Sequence, residues 1–102
     1  MRINYVSVKG YERTHGGTKL CLRAELDGEP PRLWSRLFRR TWLSREPGGS
    51  LAQIRFSGND ILLYIPDAEI LTVTIDALKS TLVEVEDKLR RNDVELDILG
   101  IP

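Results

Sequence analysis

Ser57-Gly58-Asn59-Asp60 stands between two short apolar runs, residues 51–56 and 61–65. Gly and Asn accept the backbone angles of a tight reversal, and runs of this length suit strands. The segment predicts a β-hairpin, an antiparallel unit around which the rest of the chain must be arranged. Pro66 closes the second strand, because proline has no N–H to give to a ladder.

The upstream half repeats this plan. Residues 3–8 are rich in β-branched and aromatic side chains and read as a strand. Residues 11–19, which hold His15, Gly16 and Gly17, read as a loop. In residues 20–26, Leu20, Leu22, Ala24 and Leu26 alternate with Cys21, Arg23 and Glu25, the period of two of a half-buried strand. Asp27-Gly28-Glu29-Pro30-Pro31 then breaks it.

Two segments have helical spacing instead. Across residues 33–42, Leu33, Trp34, Leu37, Phe38 and Trp42 share one side, while Arg32, Arg36, Arg39 and Arg40 share the other. Pro31 suits the first turn of that helix, where its missing N–H costs nothing. Residues 44–50 read as a loop. Residues 68–91 carry Leu71, Ile75, Leu78, Leu82, Val85 and Leu89 in alternating steps of four and three. Val73 and Val83 widen that seam, which favours packing on a sheet over pairing with a second copy. Glu84–Lys88, Glu86–Arg90 and Asp87–Arg91 are acid-before-base pairs that support a helix from outside. Finally Val94, Leu96 and Ile98 alternate with Asp93, Glu95 and Asp97, which predicts a short terminal strand. The order ββ-α-ββ-α-(β) implies an α+β fold. It is a two-layer sandwich, an antiparallel sheet of four to five strands with two helices on one face.

Composition bounds the function. A chain of 102 residues, 41% hydrophobic and 29% charged, is expected to be a single globular domain, residues 1–102. Its single cysteine, Cys21, excludes an intramolecular disulfide and a multi-cysteine metal site. The N-terminus shows no apolar leader, and the run 61–65 is too short to cross a bilayer. A cytoplasmic protein with no membrane partner is expected.

The formal charge of zero conceals a division. Residues 1–58 carry eleven Lys/Arg against five Asp/Glu, and residues 59–102 carry four against ten. Such asymmetry points either to an anionic partner or to two elements of one domain that face each other.

None of the reactive residues forms a catalytic arrangement. His15 has no nucleophile or orienting acid in its pattern. Gly16-Gly17-Thr18-Lys19 departs from a phosphate loop, since Thr follows Gly17 and a strand follows the glycines. Cys21 has no neighbouring base. The carboxylates of Asp93, Glu95 and Asp97 lie along one strand, which cannot wrap a cation and instead keeps an edge soluble. The expectation is no catalytic residue, no metal and no cofactor. A small non-enzymatic protein-interaction module, of adaptor, inhibitor or immunity type, fits best. Arg32, Arg36, Arg39, Arg40 and Arg45 would form its electrostatic footprint. Trp42, at the edge of the apolar arc, is expected to be partly exposed and to anchor a partner. Nucleic-acid binding by the same helix is the alternative, with the pI of 6.6 against it. A homodimer that uses the long helix is a further expectation. An enzyme would show a pocket in which His15 or Cys21 meets carboxylates of the acidic half.

Overall fold

The computed structural model describes residues 1–45 and 52–91. The chain forms β1 (Ile3–Thr14), β2 (Gly17–Leu26), α1 (Arg32–Arg45), β3 (Gln53–Ser57) and β4 (Asp60–Ile65). A 3₁₀ turn (Ala68–Ile70) then leads into α2 (Leu71–Arg90). The order ββ-α-ββ-α is the expected one, and the terminal strand expected at residues 94–98 lies outside the described residues. Among the described residues the sheet has four strands, in the order β1-β2-β4-β3, with every neighbouring pair antiparallel.

Each hairpin places its second strand in the middle of the sheet. Leu20, Leu22 and Ala24 of β2 stand opposite Ile65, Leu63 and Ile61 of β4. Directly opposed residues point to the same face, so the alternation in both strands converges on one apolar layer. These six are buried, in one cluster with Trp34, Leu37, Phe38 and Trp42 of α1 and Leu78 and Val85 of α2. Both helices therefore cover the same face. Full burial of each large apolar side chain contributes about 1.5–3 kcal/mol, which makes this layer the main source of stability.

The first hairpin departs from the expected loop at residues 11–19. β1 continues to Thr14, the turn is His15-Gly16, and β2 begins at Gly17. Cross-strand pairs hold the extension: Tyr11 faces Leu20, Glu12 faces Lys19, and Arg13 faces Thr18. The glycines that suggested a loop serve the hairpin itself. Gly10 (φ 128°) sits beside a bulge after Val8, and Gly17 (φ 102°) takes up the chain after the turn. Both are conformations that residues with a Cβ rarely adopt. The second hairpin matches expectation, with Ser57 opposite Asp60 and Gly58 at φ 59° in the turn.

In α1 the aromatic side forms a column. Trp34 stacks on Phe38 at 5.1 Å between ring centroids, and Phe38 stacks on Trp42 at 6.4 Å. Phe56 of β3 meets Trp34 and Phe38 edge-on. Such contacts add about 0.5–1.5 kcal/mol each beyond area burial, and they seat α1 over β3.

In α2 the large-residue seam is displaced from the centre of the buried stripe. The fully buried line is Thr74, Leu78, Thr81 and Val85, while Ile75 and Leu82 are only half-buried on its flank. Two threonines share the buried line with Leu78 and Val85. Thr81 Oγ1 donates to the Ala77 carbonyl at 2.7 Å. The start also differs: Asp67 accepts from the Glu69 N–H at 2.6 Å and caps a 3₁₀ turn before the α-helix begins. Of the expected surface pairs, Asp87–Arg91 forms at 3.1 Å. Glu86 instead accepts the Trp34 indole N–H at 2.6 Å and the Met1 ammonium at 2.8 Å, which pins the end of α2 to the start of α1.

Among the described residues, no helix covers the opposite face of the sheet. There Arg23 donates to the Tyr5 hydroxyl at 3.0 Å, and that hydroxyl donates to Glu25 at 2.7 Å. A polar outer face of this kind is stable in water. Cys21 points to the same face, opposite Tyr64, yet it is fully buried. Burial pushes its thiol above the ordinary value of 9.0, so the nucleophilic thiolate is disfavoured.

Candidate functional site

Helix α1 has two sides of opposite character. One is the aromatic column. The other exposes Arg32, Arg36, Arg39 and Arg40. Positions 32, 36 and 40 are successive i,i+4 neighbours, so their guanidinium groups form a row along the axis. Arg39 lies beside the row, with its guanidinium carbon 5.7 Å from the Phe56 ring centroid, a cation–π contact that limits its freedom. Among the described residues, no carboxylate stands within ion-pair distance of these four arginines.

This row works against the helix that carries it. Arg32 is the first residue of α1, and the first turn holds no acidic side chain. A cation at a helix N-terminus opposes the macrodipole by about 0.3–1 kcal/mol. Like charges at i,i+4 add a penalty of about 0.2–0.5 kcal/mol per pair. Among the described residues no ion pair offsets these costs, and the contact of Arg39 with the Phe56 ring serves one arginine of the four. Broken local rules without structural compensation are characteristic of functional sites.

The expected set is altered at two positions. Trp42, expected to be partly exposed, is 1% exposed. It continues the column over Phe38, and its indole N–H donates to the Ala52 carbonyl at 3.0 Å. A tryptophan with its polar atom satisfied inside the core has nothing to offer a partner from this surface. Arg45 is the last residue of α1, and its side chain lies outside the described residues.

The exposed apolar residue of this helix is Leu43, 59% exposed. Leu43 follows Arg40 by three positions, Arg39 by four and Arg36 by seven, so it shares their side of the helix and continues the row at its C-terminal end. Sequence reasoning ended the helix at Trp42 and so missed it. Carrying the 3.6-residue period one position further would have placed it there.

The reactive residues stay apart. His15 lies at the hairpin turn and lines a cleft in which the carboxylate among the described residues is Glu12, a residue of the basic half. Cys21 does not line that cleft. Among the described residues, no group of three His, Cys, Asp or Glu side chains is placed to hold a metal ion. No helix of the described residues is long and apolar enough to cross a membrane.

Residue by residue, this defines an α+β two-layer domain with one helix face on which four arginines, without a carboxylate partner among the described residues, lead to an exposed leucine. Compared with family models, curated proteins and solved structures, the chain matches none.

Proposed function

We propose that the protein is a small non-enzymatic interaction module that docks an acidic protein surface on the exposed face of α1. The observation that carries this reading is the row Arg32, Arg36, Arg39 and Arg40, which has no carboxylate partner among the described residues and ends at the exposed Leu43. Guanidinium groups make bidentate bonds to carboxylates, and an apolar side chain at the end of the row supplies a contact that a partner can desolvate. Charge of one sign on one face also steers approach and rejects like-charged partners. Burial of Trp34, Phe38 and Trp42 favours this reading over nucleic-acid binding. Single-strand binding draws much of its energy from bases stacked on exposed aromatics, and these three are not available for stacking.

The test is affinity capture from native lysate of the source cells, with nuclease-treated and untreated samples in parallel and the mass of the eluted complex measured. A protein partner that survives nuclease is expected, and it should be lost when Arg32, Arg36, Arg39 and Arg40 are all replaced by Ala. Retention by the quadruple variant would reject the surface. Material that disappears on nuclease treatment would favour the nucleic-acid alternative, and a mass of two chains alone would favour a homodimer.

A further inference from the structure

A groove of about 670 Å³ runs between β1 and α2, lined by Ile3 and Val6 on the strand and by Ile75, Leu82 and Val83 on the helix. The register explains why it stays open. Val6 and Val8 stand opposite Ala24 and Leu22 of β2, so they point to the face that the helices cover. β1 is the outermost strand, however, and among the described residues no strand lies beyond it. Val8 is therefore 56% exposed, and Val83 in the opposite wall is 64% exposed. Among the described residues, the exposed large apolar side chains other than Leu43 all belong to these two elements: Tyr5, Val8 and Tyr11 to β1, Val73 and Val83 to α2. Apolar surface concentrated in this way marks interaction sites.

The strand edge defines the kind of molecule that fits. The outer edge of β1 presents backbone N–H and C=O groups that β2 does not use, a template for one more strand. Bulges at Asn4 and Lys9 blunt that edge against long pairings. Between them, residues 5–8 run in regular register with residues 25–22. The length left suits a short extended peptide rather than the whole edge strand of a second copy. Such a peptide turns alternate side chains into the groove, onto Ile75, Leu82 and Val83. Arg2 and Lys79 line the groove, and among the described residues no carboxylate does, so acidic ends on the peptide complement its rim.

We infer that this groove takes an extended peptide segment of a partner, apolar at alternate positions and acidic at its ends, which adds to β1 as a further strand. Main-chain hydrogen bonds along residues 5–8 hold it, and the apolar wall of α2 selects its side chains. The groove lies on β1 and α2, away from the arginine face of α1, so the inference is independent of the docking surface proposed above. Either surface could fail its test while the other passes.

The probe is the blocked peptide Glu-Val-Thr-Leu-Thr-Val-Glu, followed by amide NMR shifts of the full chain. It should saturate at one site, with the shifts centred on residues 5–8 and 79–83. Two analogues carry backbone N-methyl groups, one on both Thr and the other on both Val and the Leu, so each blocks the N–H groups on one side of the strand. One analogue should lose at least about ten-fold in affinity while the other keeps it, because only one side meets β1. The same peptide with Lys at both ends should bind at least about three-fold more weakly. The double variant Lys79→Glu/Val83→Glu should weaken binding by at least about ten-fold, whereas Arg55→Ala on the far edge strand should leave it unchanged. Both residues of the double variant are exposed, so it keeps the fold, which its unfolding transition verifies. The inference is overturned if no saturable shift appears at these residues, as a groove filled by another segment of this chain would give. It is also overturned if both methylated analogues bind like the parent, if the Lys-ended peptide binds equally well, or if the double variant binds like the wild type. A protein that sediments as two chains, and as one when it carries Lys79→Glu/Val83→Glu, would overturn it in favour of a second copy.

Discussion

Trp42 and Leu43 are adjacent in sequence and opposite in role, which makes them the sharpest pair for testing the account at the scale of single residues. Trp42→Ala removes a fully buried indole and its bond to Ala52, and should destabilise the domain by about 3–5 kcal/mol in urea unfolding. Leu43→Ala should change stability by less than about 0.5 kcal/mol, because the side chain is already in water. It should nevertheless weaken partner binding by at least about ten-fold in a titration with the captured partner. Equal effects of the two substitutions on stability would show that α1 is rotated from the position described. Cys21 supports a pH prediction. The folded protein holds the thiol proton at a pH where the unfolded chain releases it. As pH rises past 9.0, the unfolded state therefore binds fewer protons than the folded state, and stability falls. Tyr64 adds a loss of the same sign from about 10.0 upward. Chemical denaturation measured between neutral and alkaline pH should show this decline, and Cys21→Ala should make it shallower.

The two helices differ in how much of their packing the sequence revealed. In α1 the bulky aromatic residues marked the buried side unambiguously, and Trp34, Leu37 and Phe38 lie where periodicity put them. In α2 the heptad seam correctly marked Leu78 and Val85, with Leu71, Leu82 and Leu89 packed beside them, but the buried line also runs through Thr74 and Thr81, which a seam of large residues passes over. A buried threonine carries no apolar signal in the sequence. Thr74 is the informative case. Its hydroxyl is buried and has no hydrogen-bond partner among the described residues. Thr74→Val keeps the shape and removes the unpaired group, and should raise stability by roughly 0.5–1.5 kcal/mol in thermal unfolding. A loss of stability instead would mean that the hydroxyl is satisfied. The strands show a similar split. Period-two alternation identified β2, and turn chemistry identified the β3–β4 hairpin. The extension of β1 to Thr14 was hidden because Gly10 and Gly17 read as loop residues. Their role in a bulged hairpin depends on pairing with the opposite strand, which local sequence does not display.

For the molecule as a whole, the division of charge becomes a question of surfaces. The basic excess is concentrated on the exposed face of α1 and in the cleft at its end. Part of the acidic excess is neutralised in α2, where Asp87 meets Arg90 and Arg91. The composition indicated that some basic surface existed. It could not show that Arg13, Arg39 and Arg55 would all border one cleft, because that depends on long-range pairing in the sheet and on the packing of α1. The central claim is that the arginines of α1 are kept for a partner at the expense of the helix, so one variant should move stability and binding in opposite directions. Arg36→Glu is that variant, since it places an acid between Arg32 and Arg40 and turns two repulsions into attractions. Urea unfolding of this protein, beside its capture of the partner from lysate, is the most direct measurement. The account predicts a gain of roughly 0.5–1 kcal/mol in stability together with loss of the partner. A variant that is less stable than the wild type, or that retains the partner, would contradict it.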